Sequence, residues 1–170
     1  MHRLSAEEFK QSEKIPLVVL LDNVRSLNNV GSLFRTADAF RVERLYLCGI
    51  TGTPPGAEIH KTALGAEFSV DWIYRNETLE AVGELKQAGY TVFCIEQTEN
   101  SILLPDWQTT ATKKYAIVLG NELKGVAQEV IDASDGCIEI PQYGSKHSLN
   151  VSVAGGILIW ECFTKLRKNM

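Results

Sequence analysis

No apolar stretch of this 170-residue chain approaches the ~18 residues that a membrane-crossing helix needs. The opening residues, MHRLSAEEFKQSEKIP, lack the apolar core of a signal peptide, and their acidic residues argue against a transit peptide. Nothing here directs export, so a cytoplasmic location is expected. Cys48, Cys94, Cys137 and Cys162 are widely spaced and form no Cys-x-x-Cys pair, which disfavours a zinc site or redox dithiol and favours buried free thiols. Positive charge is also short. With 17 Lys and Arg against 21 Asp and Glu, the formal net charge is −4, which argues against non-specific coating of nucleic acid but leaves room for a local basic patch. No Gly-x-Gly-x-x-Gly follows an apolar run, the GNELKG stretch lacks the Gly-Lys-Ser/Thr of a phosphate loop, and no Gly-x-Ser-x-Gly elbow is present. Dinucleotide, nucleoside-triphosphate and α/β-hydrolase chemistries lose their signatures.

What the chain does have is a globular balance of 45% hydrophobic and 22% charged residues, in a length suited to one core and too short for two. A single domain spanning 1–170 is expected, with 1–15 a short helix or tail, 16–165 the core, and 165–170 fraying. Apolar, β-branched runs recur at 17–21, 44–48, 91–95, 115–119 and 137–140, with a weaker one at 68–73. Helical periodicity lies between them at 30–40, 58–65, 77–88, 126–133 and 149–165. Residues 51–56, TGTPPG, read as a loop, and 98–112 as a longer irregular connection. Strand and helix alternate, so the fold class is α/β: a three-layer parallel sheet with helices on both faces.

In such sheets ligands sit beyond the carboxyl ends of strands. Three strand ends carry polar residues in quantity. After 17–21 comes DNVRSLNNVGSLFR, where Asn28 or Asn29 can cap a helix, Gly31 lets another backbone approach and Arg35 sits one turn in. After 115–119 comes GNELKG. After the last strand comes IPQYGSKHSLN, which leads into a helix containing Gly155 and Gly156. Each glycine costs a helix roughly 1 kcal/mol relative to Ala, so the pair points to close approach by a backbone, a cofactor or a partner subunit.

Taken together, these three segments resemble the SpoU, or TrmH, branch of the SPOUT RNA methyltransferases. Asn29, Gly31 and Arg35 match the spacing of the family's first motif, Gly120, Glu122 and Gly125 its Gly-x-Glu-x-x-Gly element, and Ile140-Pro141 with Ser148-Leu149-Asn150 its last motif. The likeness extends over about 16–165. It implies a deep trefoil knot at the C-terminal end, a rare exception to unknotted folds, and S-adenosyl-L-methionine held largely by backbone groups. By that resemblance the cofactor contacts fall at Ile95, Gly120, Ile140, Ser148 and Leu149, and the catalytic set is Arg35, Asn29, Glu122, Ser148 and Asn150. No metal is implied.

The implied reaction is methyl transfer to a ribose 2′-hydroxyl. Arg35 would grip a phosphate or the 2′-oxygen and stabilise developing charge, since a guanidinium with a pKa above ~12 is a poor base. Asn29 would orient the ribose or Arg35, Glu122 would orient Arg35 or a neighbouring amide, and Ser148 and Asn150 would close the site. Each has a plainer reading. Asn29 or Ser148 could be a helix cap, Arg35 could pair with Asp38 on a solvated face, and Glu122 could be a loop acid or belong to the first turn of the next helix. His60 and His147 read as incidental.

Positive charge for RNA would come from Arg25, Arg41, Arg44 and Lys61 near the first motif and from Lys124 and Lys146 near the others, with Lys113-Lys114 the only adjacent basic pair outside the tail. The resemblance further implies a homodimer in which Arg35 of one subunit serves the other's pocket. It implies RNA as partner, tRNA before rRNA, and neither DNA nor membrane. Guanosine in the tRNA D-loop is the expected target, rRNA the runner-up, and a non-catalytic RNA-binding protein on the same fold the reading from another class.

Overall fold

The computed structural model describes residues 3–167. Its seven strands are β1 (Ile15–Asp22), β2 (Val42–Cys48), β3 (Trp72–Arg75), β4 (Tyr90–Ile95), β5 (Ile102–Leu103), β6 (Lys114–Leu119) and β7 (Gly136–Glu139). They pair in parallel in the order β3-β2-β1-β6-β4-β7-β5. A parallel sheet covered on both faces explains why the central strands read as unbroken apolar runs rather than alternating ones. Leu17, Val19 and Leu21 of β1 face one apolar cluster and Val18 and Leu20 face the other.

The helices follow from the same faces. On the first face lie α1 (Ala6–Gln11), α2 (Leu27–Ala39), α3 (Ala57–Ala63), α4 (Ala66–Ser69) and α7 (Val151–Leu166), and on the second α5 (Thr78–Gln87) and α6 (Gln128–Ala133). Helix α2 buries Val30, Leu33, Phe34 and Ala37, the i, i+3, i+4, i+7 stripe of an amphipathic helix. Each such side chain is worth about 1.5–3 kcal/mol when removed from water. The first residues are fastened by α1, where Ser5 and Glu8 form a capping box and Phe9 enters the core. No described helix is long and apolar enough to cross a membrane.

Four sequence expectations need correction. Residues 68–73 do not form one strand. Phe68 and Ser69 end α4, entered through the left-handed Leu64 and Gly65, and the strand begins only at Trp72. The 98–112 connection holds the short edge strand β5, a 3₁₀ turn at Leu104–Asp106 and the fully buried Trp107. Helix α6 starts at Gln128, because the N–H groups of Val126 and Ala127 donate to the carboxylates of Glu96 at 3.1 Å and Asp22 at 3.0 Å. At the C-terminus, Lys165 does not fray. It remains in α7 and donates to the Trp107 carbonyl at 2.5 Å, and positions 168–170 lie outside the described residues.

The glycines divide. A Cβ on Gly155 would lie 2.4 Å from Leu33 Cδ2 and 2.9 Å from Leu119 Cδ1, so this position does let α7 press onto α2 and β6. Gly156 meets nothing within 4 Å, so no close approach within the protomer accounts for it. At Gly31 a Cβ would lie 2.3 Å from the Ile59 carbonyl, the backbone of α3. Gly31→Ala is therefore expected to cost ~1–3 kcal/mol through overpacking, lowering the thermal midpoint by roughly 2–10 °C. Gly83→Ala, at an open position inside α5, raises stability by about 0.5–1 kcal/mol. Parallel thermal melts of the two variants check both signs.

Candidate active site

The loop after β6 is closed by its own backbone. Asn121 N–H donates to the Gly125 carbonyl at 3.0 Å and Gly125 N–H returns to Asn121 at 2.9 Å, while Asn121 Oδ1 accepts from the amides of Leu123 and Lys124. Both glycines are demanded by geometry. Gly125 has φ +70°, and a Cβ on Gly120 would lie 2.3 Å from the Gly125 carbonyl carbon. Asn121 Nδ2 also donates to the Asn23 carbonyl at 2.7 Å, which holds the turn beside the end of β1.

The turn aims Glu122 at the start of α2. Its Oε2 accepts from Arg25 N–H at 2.9 Å, and its Oε1 accepts from Ser26 N–H at 2.9 Å and Asn29 Nδ2 at 3.2 Å. Burial raises the Glu122 carboxyl, but these donors outweigh it and hold the group below the usual carboxylate range. Asn29 Oδ1 in turn accepts from Asn150 Nδ2 at 3.2 Å. Asn150 Oδ1 caps α7, accepting from the Ser152 and Val153 amides. One run of hydrogen bonds thus joins the loops after β1, β6 and β7.

Beside this junction, at the carboxyl ends of β4, β6 and β7, lies a cavity of about 650 Å³. That is within the range of small-molecule sites. Ile95, Gly120, Ile140, Ser148 and Leu149 all line it. Its walls also carry Glu96 and Glu139, with Lys124, Lys146 and His147 where the loops open outward.

A profile of the SpoU rRNA Methylase family matches residues 16–160, most of the chain and all three loops. This chain belongs to the SpoU methylase family. Among its relatives is the tRNA (guanosine(18)-2'-O)-methyltransferase of Thermus thermophilus, 32% identical over 163 residues that cover 94% of this chain and 80% of the relative. The crystal structure of the A. aeolicus TrmH/SpoU tRNA modifying enzyme superposes with a TM-score of 0.81 at 30% identity, covering 94% of this chain and 79% of that one. An AdoMet-bound rRNA methyltransferase from Sinorhizobium meliloti gives a TM-score of 0.83 at 27% identity, over 98% of this chain and 62% of that one.

The SpoU motif residues take up the following positions. Glu122, Ser148 and Asn150 line the cavity and Asn29 reaches it through its hydrogen bonds, whereas Arg35 does not line it. Arg35 lies six residues, about 9 Å, further along α2 than Asn29. It is exposed, and its side chain forms no hydrogen bond or ion pair with any described residue. The plainer readings of these residues fail. Ser26 caps α2, so neither Asn28 nor Asn29 does, Asn150 rather than Ser148 caps α7, and Asp38 accepts from Ser69 Oγ rather than pairing with Arg35. Glu122 is not a free loop acid, and it precedes α6 by a full turn of chain.

The basic candidates separate by sheet end. Lys124 and Lys146 line the cavity, but Arg41, Arg44 and Lys113-Lys114 sit at or near the amino ends of β2 and β6, the far side of a parallel sheet. His60 lies in α3 and pairs with Glu67. All four cysteines are free and buried, and burial pushes the thiols of Cys48, Cys94 and Cys162 up to about 12, which leaves them unreactive.

Sequence reasoning missed Asn121, Glu96 and Asp22. Asn121 sits inside the GNELKG motif, where only its neighbour Glu122 carries a chemical signature. Asp22, at the end of an apolar run, accepts from Thr78 Oγ1 at 2.6 Å and from Ala127 N–H, partners 56 and 105 residues away.

A carboxyl held below its ordinary value stabilises the fold above about pH 4.3, and that contribution disappears as pH falls through the folded-state value. Midpoints of denaturation for the native protein and Glu122→Gln, measured from pH 7 to 3, are therefore expected to differ by about 1–2 kcal/mol at neutrality and to converge in acid. A gap of constant size across that range would show that the charge at Glu122 is not what the amides recognise.

Proposed function

We propose that this protein transfers a methyl group from S-adenosylmethionine to a ribose 2′-hydroxyl of RNA, with a guanosine of tRNA as the target. The observation that carries the reading is the hydrogen-bonded junction of Glu122, Asn29 and Asn150 beside a 650 Å³ cavity, on a chain of the SpoU methylase family. The residues present suit that cofactor. Ile95, Ile140 and Leu149 offer apolar walls to an adenine, strand-end backbone offers donors and acceptors to its edge, and Glu96 and Glu139 match a sulfonium and an ammonium in sign.

When bound, S-adenosylmethionine supplies an electrophilic methyl carbon for in-line displacement. The protein's task is then to hold a weak nucleophile about 3 Å away and to manage its proton. Ser148 and Asn150 close the cavity over the reacting groups. Asn29, fixed by Glu122 and Asn150, orients the ribose. Arg35 stabilises the developing negative charge on the 2′-oxygen or an adjoining phosphate.

Because Arg35 stands clear of its own cavity, the working unit in this proposal is a homodimer in which it reaches the partner's. Val153, Ile157 and Trp160 form an exposed apolar stripe on α7, and Gly156 beside them is open, which suits a helix packed against a second copy. Threading of α7 as a trefoil knot belongs to the same proposal. It is supported by the return of α7 to α2 and β1 after the 141–150 loop. A cytoplasmic location follows from an RNA substrate.

Incubating the protein with methyl-labelled S-adenosylmethionine and unmodified total RNA, then mapping the label, tests the reading. Label on a tRNA guanosine 2′-oxygen is the expected result. Label on rRNA would move the substrate, as the S. meliloti relative makes plausible, and label on a base or nowhere would overturn the reaction. Arg35→Ala is expected to lower turnover by ~100-fold or more while calorimetry finds its cofactor affinity within a few-fold of the native protein.

A further inference from the structure

The cavity mouth carries more than charge. Tyr143 is 96% exposed and Leu123 79% exposed, the two most exposed large hydrophobic side chains among the described residues. Single exposed apolar residues are ordinary on protein surfaces. These two are set apart by position, since they belong to the two loops that border the cavity, Leu123 after β6 and Tyr143 after β7. Tyr143 forms no hydrogen bond or ring contact with any described residue, so packing within the protomer does not account for a large aromatic there.

Lys124 follows Leu123 directly, and Lys146 and His147 follow Tyr143 within four residues, all exposed. A solvated aromatic ring among cationic side chains is the combination that binds unpaired nucleotides: bases stack on the ring and phosphates meet the cations. In a paired A-form helix both base faces are covered, so a ring of this kind has nothing to stack on.

Building on the methyltransferase reading, we infer that Tyr143 is the stacking platform for an unpaired base of the RNA at the cavity mouth, flanked by phosphate contacts from Lys124 and Lys146. Stacking is blind to base identity because every base presents a π face. Tyr143 therefore selects for unpaired structure, and sequence must be read elsewhere.

Fluorescence anisotropy with the full-length protein tests this directly, using an RNA hairpin with an unpaired loop and a fully paired RNA of the same length. Tyr143→Ala is expected to weaken hairpin binding roughly tenfold and to leave duplex binding unchanged, Tyr143→Phe to restore hairpin affinity, and Lys146→Ala to weaken both RNAs alike with a shallower salt dependence. Unchanged hairpin affinity in Tyr143→Ala, equal losses on both RNAs, failure of Phe to rescue, or no RNA binding by the native protein would each overturn the inference. Cofactor calorimetry and methyl incorporation by the native protein separate the two levels. Their failure removes the enzymatic reading, whereas intact methylation with an indifferent Tyr143 removes only the stacking role.

Discussion

The arrangement depends on one carboxylate meeting a helix start. Glu122 receives two backbone amides and one side-chain amide from the turn that opens α2, the place where a helix leaves N–H groups without partners of its own. The positive end of the helix dipole favours an anion there. With Glu122 in place, Asn29 is oriented, and with Asn29 in place Asn150 is held at the head of α7. Without it, the Arg25 and Ser26 amides lose their acceptor and Asn29 loses its tie to the loop after β6, leaving that loop held to the end of β1 by the Asn121 side-chain amide on the Asn23 carbonyl. Positions 29, 122 and 150 are far apart in the chain but act as one element.

Much of the fold was legible because a parallel sheet buried on both faces writes itself as apolar runs, and β1, β2, β4, β6 and β7 were located by theirs. Where reading failed, the deciding partner was distant. Phe68 belongs to a helical turn because Leu64 and Gly65 are left-handed just before it, and Trp107 is core because α7 and the aromatic rings of Phe93 and Tyr115 close over it. The start of α2 shows the same limit. Asn28 and Asn29 are good caps by type, but Ser26 takes the role once Asn29 is claimed by Glu122 and Asn150.

The site was legible to the extent that motif residues imply neighbours. Spacing located Glu122 and Asn150 without revealing that Asn29 lies between them. Glu96 and Asp22 gave no signal, since each works by accepting an amide that precedes α6. Arg35 illustrates the opposite case, a residue matched by motif whose side chain finds no hydrogen bond or ion pair among the described residues of its own protomer.

The cavity divides into a fixed floor and a solvated mouth. The floor is built from strand ends, glycines that leave no room for a side chain, and hydrogen-bonded side chains, where small displacements are costly. The mouth holds Lys124 and Lys146, with Tyr143 exposed on the same loop as Lys146, and the side chains of all three make no hydrogen bonds with the described residues. A chain of net charge −4 can hold a polyanion only through such local concentration of positive charge. If the loops after β4, β6 and β7 form one cofactor chamber, a crystal structure of the protein with S-adenosylmethionine will show the adenine between Ile140 and Leu149, its edge at the backbone near Gly120. Density for the cofactor in a second crevice, lined by Asp22, Asn23 and Thr78, or a chamber left empty at saturating concentration, would rule this out.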